Sequence, residues 1–324
     1  MSPADYLDAL TRRQPGAHGF EPRGRDWSAQ THALEFGSLR IVIARTDSYA
    51  VRGGADGYRR IFVPLSAPVT LEGAGVRLRS HPFTPLLPPA DVWRAEYGAG
   101  VGLFFSCRED ALARALEQSA AQESLDELWN MRRMRPLARL GAFMRDLWDV
   151  TCRYSADSRI AATTRLEAKA VRDHLIARLA EALRSAPPAR RHEETRAASI
   201  GRAYVYALGR IGEQIRLGDV AAAAGCPPRT LQNILHDQMQ IKLSDHLAMI
   251  RLALAQVRLA DPRPGANVTS VAMECGFTHM GEFSSAYHRR FLELPSETLA
   301  RAQRDPRISP AVAAKKTLVS PLLR

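Results

Sequence analysis

Two short apolar helical patterns separated by a glycine, near the C-terminal end, constrain this chain more than any other feature. The stretch VTSVAMECGFTHMGEFSSAYHRRF, residues 268–291, is interrupted at Gly276, and polar residues follow the interruption. Glycine adopts a positive φ without steric cost, so it ends one helix and turns the chain sharply into the next. A helix that only filled a core would not need this glycine. The pattern predicts two helices that meet at an angle.

The same pattern occurs earlier in the chain. A Val-Ala pair lies four residues before a glycine at Val220, Ala221 and Gly225, and the arrangement repeats 51 positions further on. The small alanine allows a second helix to cross closely, and apolar residues after each glycine seat that second helix. Thr269 and Ser270 are candidate N-caps for the later unit. Two consecutive helix-turn-helix units are therefore expected.

Several further residues have a characteristic spacing. They are Gly276-Phe277, Phe283, Tyr287, Phe291 and Pro295-Ser296, together with Arg251-Leu252 and Ala255 in a predicted linking helix over 243–259. In this spacing the segment resembles the DNA-binding domain of AraC/XylS-type transcription regulators. The resemblance implies two helix-turn-helix units joined by a long helix, each presenting a helix face to a DNA major groove about 12 Å wide.

The departures from that family pattern lie mainly in the first unit. Pro227 stands where a capping Ser is common, and Leu235 replaces a usual Phe. Gln240 and Leu243 occupy positions that are often Gly and Pro, and Leu292 replaces a common Gly in the second unit. The Pro227-Pro228 pair still permits a helix start, because proline is tolerated in the first turn.

The candidate DNA-binding residues are the polar ones on the second helix of each unit and in the turn before it. His279, Glu282 and Ser285 are expected at base edges, whereas late basic residues such as Arg289 and Arg290 are expected to meet phosphates or solvent. Phe277, Phe283, Tyr287 and Phe291 are expected in the core. The complete candidate set is Arg229, Thr230, Gln232 and Asn233 in the first unit, and Thr278, His279, Glu282, Ser285 and Arg289 in the second.

The N-terminal half has a different pattern. Short runs between about residues 27 and 107, bounded by glycine and proline, predict a small β-sandwich or barrel, and from Arg108 the apolar period becomes helical. This order is similar to the cupin-like ligand-sensing domains of one branch of the same family, which implies a two-domain α+β chain. The expected division is a sensing and dimerisation domain over 1–184, a linker over 185–198, the DNA-binding domain over 199–304 and a loose tail over 305–324.

Composition narrows the classes of function. The formal net charge of +11 is spread along the chain, so it permits a nucleic-acid partner without demanding one. Four scattered cysteines indicate neither a disulfide framework nor a zinc module. The absence of a long apolar run or a secretory signal favours a cytoplasmic protein without membrane association. Only His32 and His81 fall in the strand-rich region, so neither metal nor another cofactor is expected.

Three functions remain open at this level. The first is a sequence-specific transcription regulator, not an enzyme, that binds double-stranded DNA as a homodimer, responds to an unidentified small-molecule effector and has RNA polymerase as a further candidate partner. The second is a metal- or ligand-dependent cupin-type enzyme fused to a helical regulatory domain. The third is an architectural or partner-binding protein whose N-terminal domain mainly assembles dimers.

Overall fold

The structure is a computed structural model. The predicted tail over 305–324, half of the predicted linker (residues 186–192), His81 and the side chain of His32 lie outside the part that can be described. The described residues are 5–6, 17–24, 26–73, 75–80, 82, 84–89, 91–117, 125–129, 140–156, 164–185, 193–239, 242–260 and 262–304.

Nine described strands in the N-terminal half form two antiparallel sheets. One sheet has the order β1-β4-β8-β6-β7 and the other has the order β2-β3-β9-β5. The predicted strand-rich domain is confirmed, but the described strands make two separate sheets rather than one closed barrel. The strands are β1 (Ala17–Pro22), β2 (Ala29–Phe36), β3 (Leu39–Thr46), β4 (Tyr49–Gly53), β5 (Tyr58–Pro64), β6 (Val69–Gly73), β7 (Val76–Ser80), β8 (Trp93–Tyr97) and β9 (Gly100–Arg108).

The two faces of the four-stranded sheet pack against different partners. Side chains alternate along a strand, so Phe104 of β9 lies among the aromatic rings between the sheets, whereas its neighbour Phe105 contacts Phe143 of a helix. The aromatic interior includes Tyr49, which stacks on Tyr97 at 4.5 Å between ring centroids. The sheet is therefore the middle layer between a second sheet and a helical layer.

Helices follow the sandwich and continue to residue 304. None of the described helices is both long and apolar enough to cross a membrane. Helix α8 agrees with the predicted linking helix over 243–259, and α5 begins within the segment predicted as a linker. The helices are α1 (Glu109–Glu117), α2 (Leu125–Leu128), α3 (Gly141–Ala156), α4 (Arg165–Ser185), α5 (Glu193–Leu208), α6 (Leu217–Ala224), α7 (Pro228–Met239), α8 (Leu243–Ala260), α9 (Val268–Glu274), α10 (Met280–Phe291) and α11 (Pro295–Arg304).

Helix α3 belongs to the packing of both halves. Its Phe143 meets the β-sheet through Phe105, and its Trp148 lies edge-on to His246 of α8, with 5.3 Å between ring centroids. Apolar residues of the sheet, of α3 and of the C-terminal helices form one continuous buried cluster. The C-terminal helices therefore pack directly on the N-terminal half through α3.

Candidate nucleic-acid interface

The first helix-turn-helix unit is formed by α6 and α7. Gly225 ends α6 with φ 72°, as its place in the repeat predicts. Arg202 of α5 donates to the carbonyl of Ala224 at 2.6 Å, so one of the open carbonyls at this helix end has a partner. Pro228 is the first residue of α7, where its missing N–H costs nothing. The turn therefore tolerates the unusual proline pair.

The second unit is formed by α9 and α10, and its first helix has a complete capping box. The Asn267 side chain accepts from the Ser270 amide at 2.8 Å, and the Asn267 amide donates to the Ser270 hydroxyl at 3.1 Å. The prediction that Thr269 or Ser270 is the N-cap was wrong. The N-cap is Asn267, two or three positions earlier. From there the Asn267 and Ser270 side chains each reach the backbone amide of the other residue.

Gly276 is required by conformation and by space. It has φ 82°, and a Cβ built on it would lie 2.8 Å from the carbonyl oxygen of Ile211 and 3.0 Å from Nε of Arg251. Arg251 of the linking helix α8 donates to the carbonyls of Ile211 and Glu213, each at 2.8 Å. Position 276 therefore has no room for a side chain. The turn of the second unit meets the linking helix and the segment after α5 at this point.

The buried face of α10 holds the second unit together. Phe283 and Tyr287 are fully buried, Phe291 is buried, and consecutive rings lie within 5.6 Å of each other. The Tyr287 hydroxyl hydrogen-bonds Thr298 of α11 at 2.9 Å, and Thr298 donates to the buried Glu293 at 2.7 Å. The expectation that these aromatic residues are core is confirmed, with Phe277 partly buried beside them.

The opposite faces of α7 and α10 are polar and open to solvent. Among the described side chains of α7, the buried ones are Leu231, Ile234 and Leu235, which lie on the face away from the exposed set. The structure brings the candidates into two groups, one per unit, and leaves each of them exposed. The exposed residues are Arg229, Thr230, Gln232 and Asn233 at α7, and Thr278, His279, Glu282, Ser285 and Arg289 at α10.

Arg290 differs from the prediction. The sequence places it with Arg289 among phosphate or solvent contacts, but in the structure its side chain is only 10% exposed. It forms an ion pair with the carboxylate of Asp149 on α3 and donates to the Asp149 carbonyl at 2.7 Å. Burial lowers the pKa of Arg290 to about 10, so the guanidinium remains charged at pH 7. No spacing signal within α10 could have revealed a partner 141 positions away.

His246 also departs from expectation, because it was interpreted as a histidine on the helix surface. His236 is exposed, but His246 is buried between Trp148 and Tyr204. Burial lowers the pKa of His246 to about 3, so the ring is neutral at pH 7. The Tyr204 hydroxyl hydrogen-bonds Nδ1 of this ring. His246 therefore has a packing role at the contact between α3 and α8.

The described part of the chain gives no support to a cysteine nucleophile or to a metal site. Cys107, Cys226 and Cys275 are free thiols there, and burial raises the pKa of Cys107 and of Cys275 to about 12. A thiol with such a pKa is a poor nucleophile near neutral pH, because the thiolate is the reactive form. No group of three or more potential metal ligands occurs among the described residues.

Comparison with known proteins identifies the class of this C-terminal region. Residues 220–301 match the profile of a family described as a helix-turn-helix domain. Over 90 residues the chain is 32% identical to XylDLEGF operon transcriptional activator 3 of Pseudomonas putida, an alignment that covers 28% of this chain and 27% of that protein. The chain carries a helix-turn-helix domain of the AraC/XylS type, as its motifs predict. The match spans little more than a quarter of the relative's length.

Solved structures of transcription regulators show a weaker likeness to this chain. The AraC-like transcriptional activator CuxR aligns at 11% identity over 84% of this chain and 95% of that chain, with a TM-score of 0.41. A transcriptional regulator with an AraC-type DNA-binding domain from Chromobacterium violaceum aligns at 25% identity over 33% of this chain and 95% of that one, with a TM-score of 0.29.

Proposed function

We propose that this chain is a sequence-specific DNA-binding transcription regulator, in which α7 and α10 are the reading helices and α8 holds them together. The observation that carries the proposal is the pair of exposed polar helix faces, each on a helix whose other face is fully buried in a helix-turn-helix unit. Such a helix enters a major groove with its free face toward the bases. Since DNA is the proposed partner, we place the protein in the cytoplasm.

The reading helices belong to one subunit, so one subunit would address two successive major-groove segments, about 34 Å apart along the DNA. His279, Glu282 and Ser285 are the proposed base contacts of α10, and Arg229, Gln232 and Asn233 are those of α7. Arg289, on the last turn of α10, is the proposed phosphate contact. Arg290 is not among the proposed DNA contacts, because its guanidinium is bound to Asp149.

The N-terminal domain is proposed to sense a small-molecule effector and to assemble a homodimer. Its sandwich interior supports a sensing role, since polar groups are buried among the aromatic rings. Arg60 and Asp56 form an ion pair there, and the buried Tyr97 hydroxyl has no hydrogen-bond partner among the described residues. An effector that binds one arrangement of the domains better than another would shift its population. Contact with RNA polymerase is a further proposed step.

The base-reading assignment is tested by replacing Arg229 and His279 with Ala one at a time. If the residue reads a base, binding to the preferred site should weaken by about 1–3 kcal/mol, while binding to unrelated DNA changes little. Arg289→Ala is the matched control, expected to weaken binding equally on all sequences and to lower the salt dependence. An equal loss on every sequence for Arg229→Ala or His279→Ala would make that residue a phosphate contact.

The sensing assignment is tested by thermal unfolding of the full chain across a panel of small organic acids, sugars and aromatic compounds. A ligand that binds only the folded state raises the unfolding temperature. An unchanged unfolding temperature across the panel would favour a domain that mainly assembles dimers. Bound metal in the purified protein would instead favour the enzyme alternative.

A further inference from the structure

The first turn of α10 carries a carboxylate that no contact within the domain explains. Glu282 is the only acidic residue of α10, it is exposed, and it lies three residues after His279, the N-cap of that helix. A glutamate at this position commonly accepts a hydrogen bond from the N-cap amide. Among the described residues, however, the Glu282 carboxylate accepts no hydrogen bond and forms no ion pair.

Other glutamates at the same helix position have a structural role. At the start of α4, Glu167 accepts from the Thr164 amide at 2.9 Å. At the start of α11, Glu297 accepts from the Leu294 amide at 2.7 Å. Because Glu282 makes no such bond within the described part of the chain, its carboxylate is not used as a helix cap and is available to a partner.

The side of α10 that bears Glu282 lacks bulk at its start. A Cβ built at Gly281 would meet no atom within 4 Å, and Gly281 does not have a positive φ, so neither packing nor backbone conformation requires glycine there. Glycine suits a place where the backbone approaches a ligand closely. Ser285, one turn further along, is small and exposed on the same side. This side of α10 therefore permits close approach to base edges.

A carboxylate discriminates between the base edges of a major groove, because an ionised carboxylate only accepts hydrogen bonds. Guanine presents two acceptors in the groove, and thymine presents an acceptor and a methyl group. Adenine presents a donor beside an acceptor, whereas cytosine presents the donor of its N4 amino group. Only cytosine therefore gives the carboxylate a donor without an acceptor on the same base.

We propose that Glu282 reads one cytosine in the DNA block bound by α10, with its carboxylate accepting from the N4 amino group of that base. This base assignment rests on the proposed function, because it specifies the base for one reading residue. The amino-terminal end of α10 offsets part of the repulsion between the carboxylate and the DNA phosphates. Where the base offers no donor, that repulsion is uncompensated, so Glu282 also acts against the other bases.

The test is selection of bound sequences from random duplex DNA with the full chain, repeated with Glu282→Gln. The wild type should enrich a cytosine in the block whose preference His279→Ala weakens. Glutamine pairs with adenine through one donor and one acceptor, so Glu282→Gln should replace that cytosine by adenine and leave the other positions unchanged.

Two control variants separate this role from others. Ser285→Ala, on the same face of α10, should retain the cytosine. Glu117→Gln removes one negative charge from an exposed position at the end of α1 and should leave the whole motif unchanged. Each variant is first shown to unfold at the wild-type urea concentration, so that a changed motif is not a consequence of lost structure.

A modified base tests the atom involved. N4-methylcytosine at the enriched position replaces the major-groove hydrogen of the amino group by a methyl group and still pairs with guanine. The wild type should bind this duplex about tenfold more weakly than the unmodified one. Glu282→Ala should bind the two duplexes equally, because it has no carboxylate to accept from the amino group.

The outcomes distinguish the base assignment from the regulator function. A cytosine that persists in the motif of Glu282→Gln would overturn the assignment and leave the regulator function standing. So would an equal loss on methylation in the wild type and in Glu282→Ala, or a wild-type motif without a cytosine in that block. Enrichment of no sequence by the wild type would refute the regulator function, and the assignment with it.

Discussion

The buried His246 gives a quantitative prediction about pH. Its ring lies between Trp148 of α3 and Tyr204 of α5, and burial lowers its pKa to about 3. An unfolded chain has a histidine pKa of about 6.5. At a pH between these two pKa values, the unfolded state binds a proton that the folded state does not bind. Stability is therefore present above about pH 6.5 and is lost as the pH falls toward 3.

The size of the loss follows from the two pKa values. One pKa unit corresponds to about 1.4 kcal/mol, and at pH 5 the unfolded histidine is protonated while the buried ring is still neutral. At pH 5 the difference amounts to about 1.5 units, so His246 alone should remove about 2 kcal/mol of unfolding free energy between pH 7 and pH 5. Folded proteins typically have an unfolding free energy of roughly 5–15 kcal/mol, so this loss is a measurable fraction of the total.

The assay is urea unfolding of the full chain at pH 7 and pH 5, followed by circular dichroism. His246→Asn keeps an acceptor near the position of Nδ1 for the Tyr204 hydroxyl and has no proton to bind. Its stability should fall between the two pH values by about 2 kcal/mol less than that of the wild type. His236→Asn, at an exposed position, should retain the wild-type loss. An equal loss in His246→Asn and the wild type would refute the reasoning.

Three further predictions concern stability, each measured by denaturant unfolding. Leu292→Gly should stabilise the protein by about 1 kcal/mol, because Leu292 ends α10 with φ 56° while 83% of its surface is exposed; a loss of stability would contradict this. Gly276→Ala should cost about 2–4 kcal/mol through its positive φ and its contact with the Ile211 carbonyl, whereas Gly281→Ala, in open space on α10, should cost nothing. Asp149→Ala should cost about 2 kcal/mol, because it leaves the largely buried Arg290 without its carboxylate partner, whereas Asp110→Ala, at a solvent-exposed pair, should leave stability nearly unchanged.

Local patterns explain why the C-terminal domain could be predicted in detail. The repeat around Gly225 and Gly276, the apolar period of α8 and the aromatic positions of α10 all act within a few turns of helix. The solvent exposure of the candidate reading residues agrees with that period. Their contact with DNA stays a prediction.

Non-local packing explains what the sequence did not reveal. Pairing between distant strands decides that β8 and β9, which are neighbours in sequence, belong to different sheets. The burial of His246 and Arg290 depends on α3, which lies about a hundred or more positions earlier in the chain. The apolar period of α8 or of α10 does not indicate that either helix contacts α3.

The central claim is that one subunit reads DNA with two helices. The most direct measurement is selection of bound sequences from random duplex DNA with the full chain, at moderate salt. Our account predicts an extended motif with two blocks about ten base pairs apart, and a loss of preference in the blocks when Arg229 or His279 is replaced by Ala. Enrichment of one block alone would contradict base reading by α7. Enrichment of no sequence would contradict the regulator function itself.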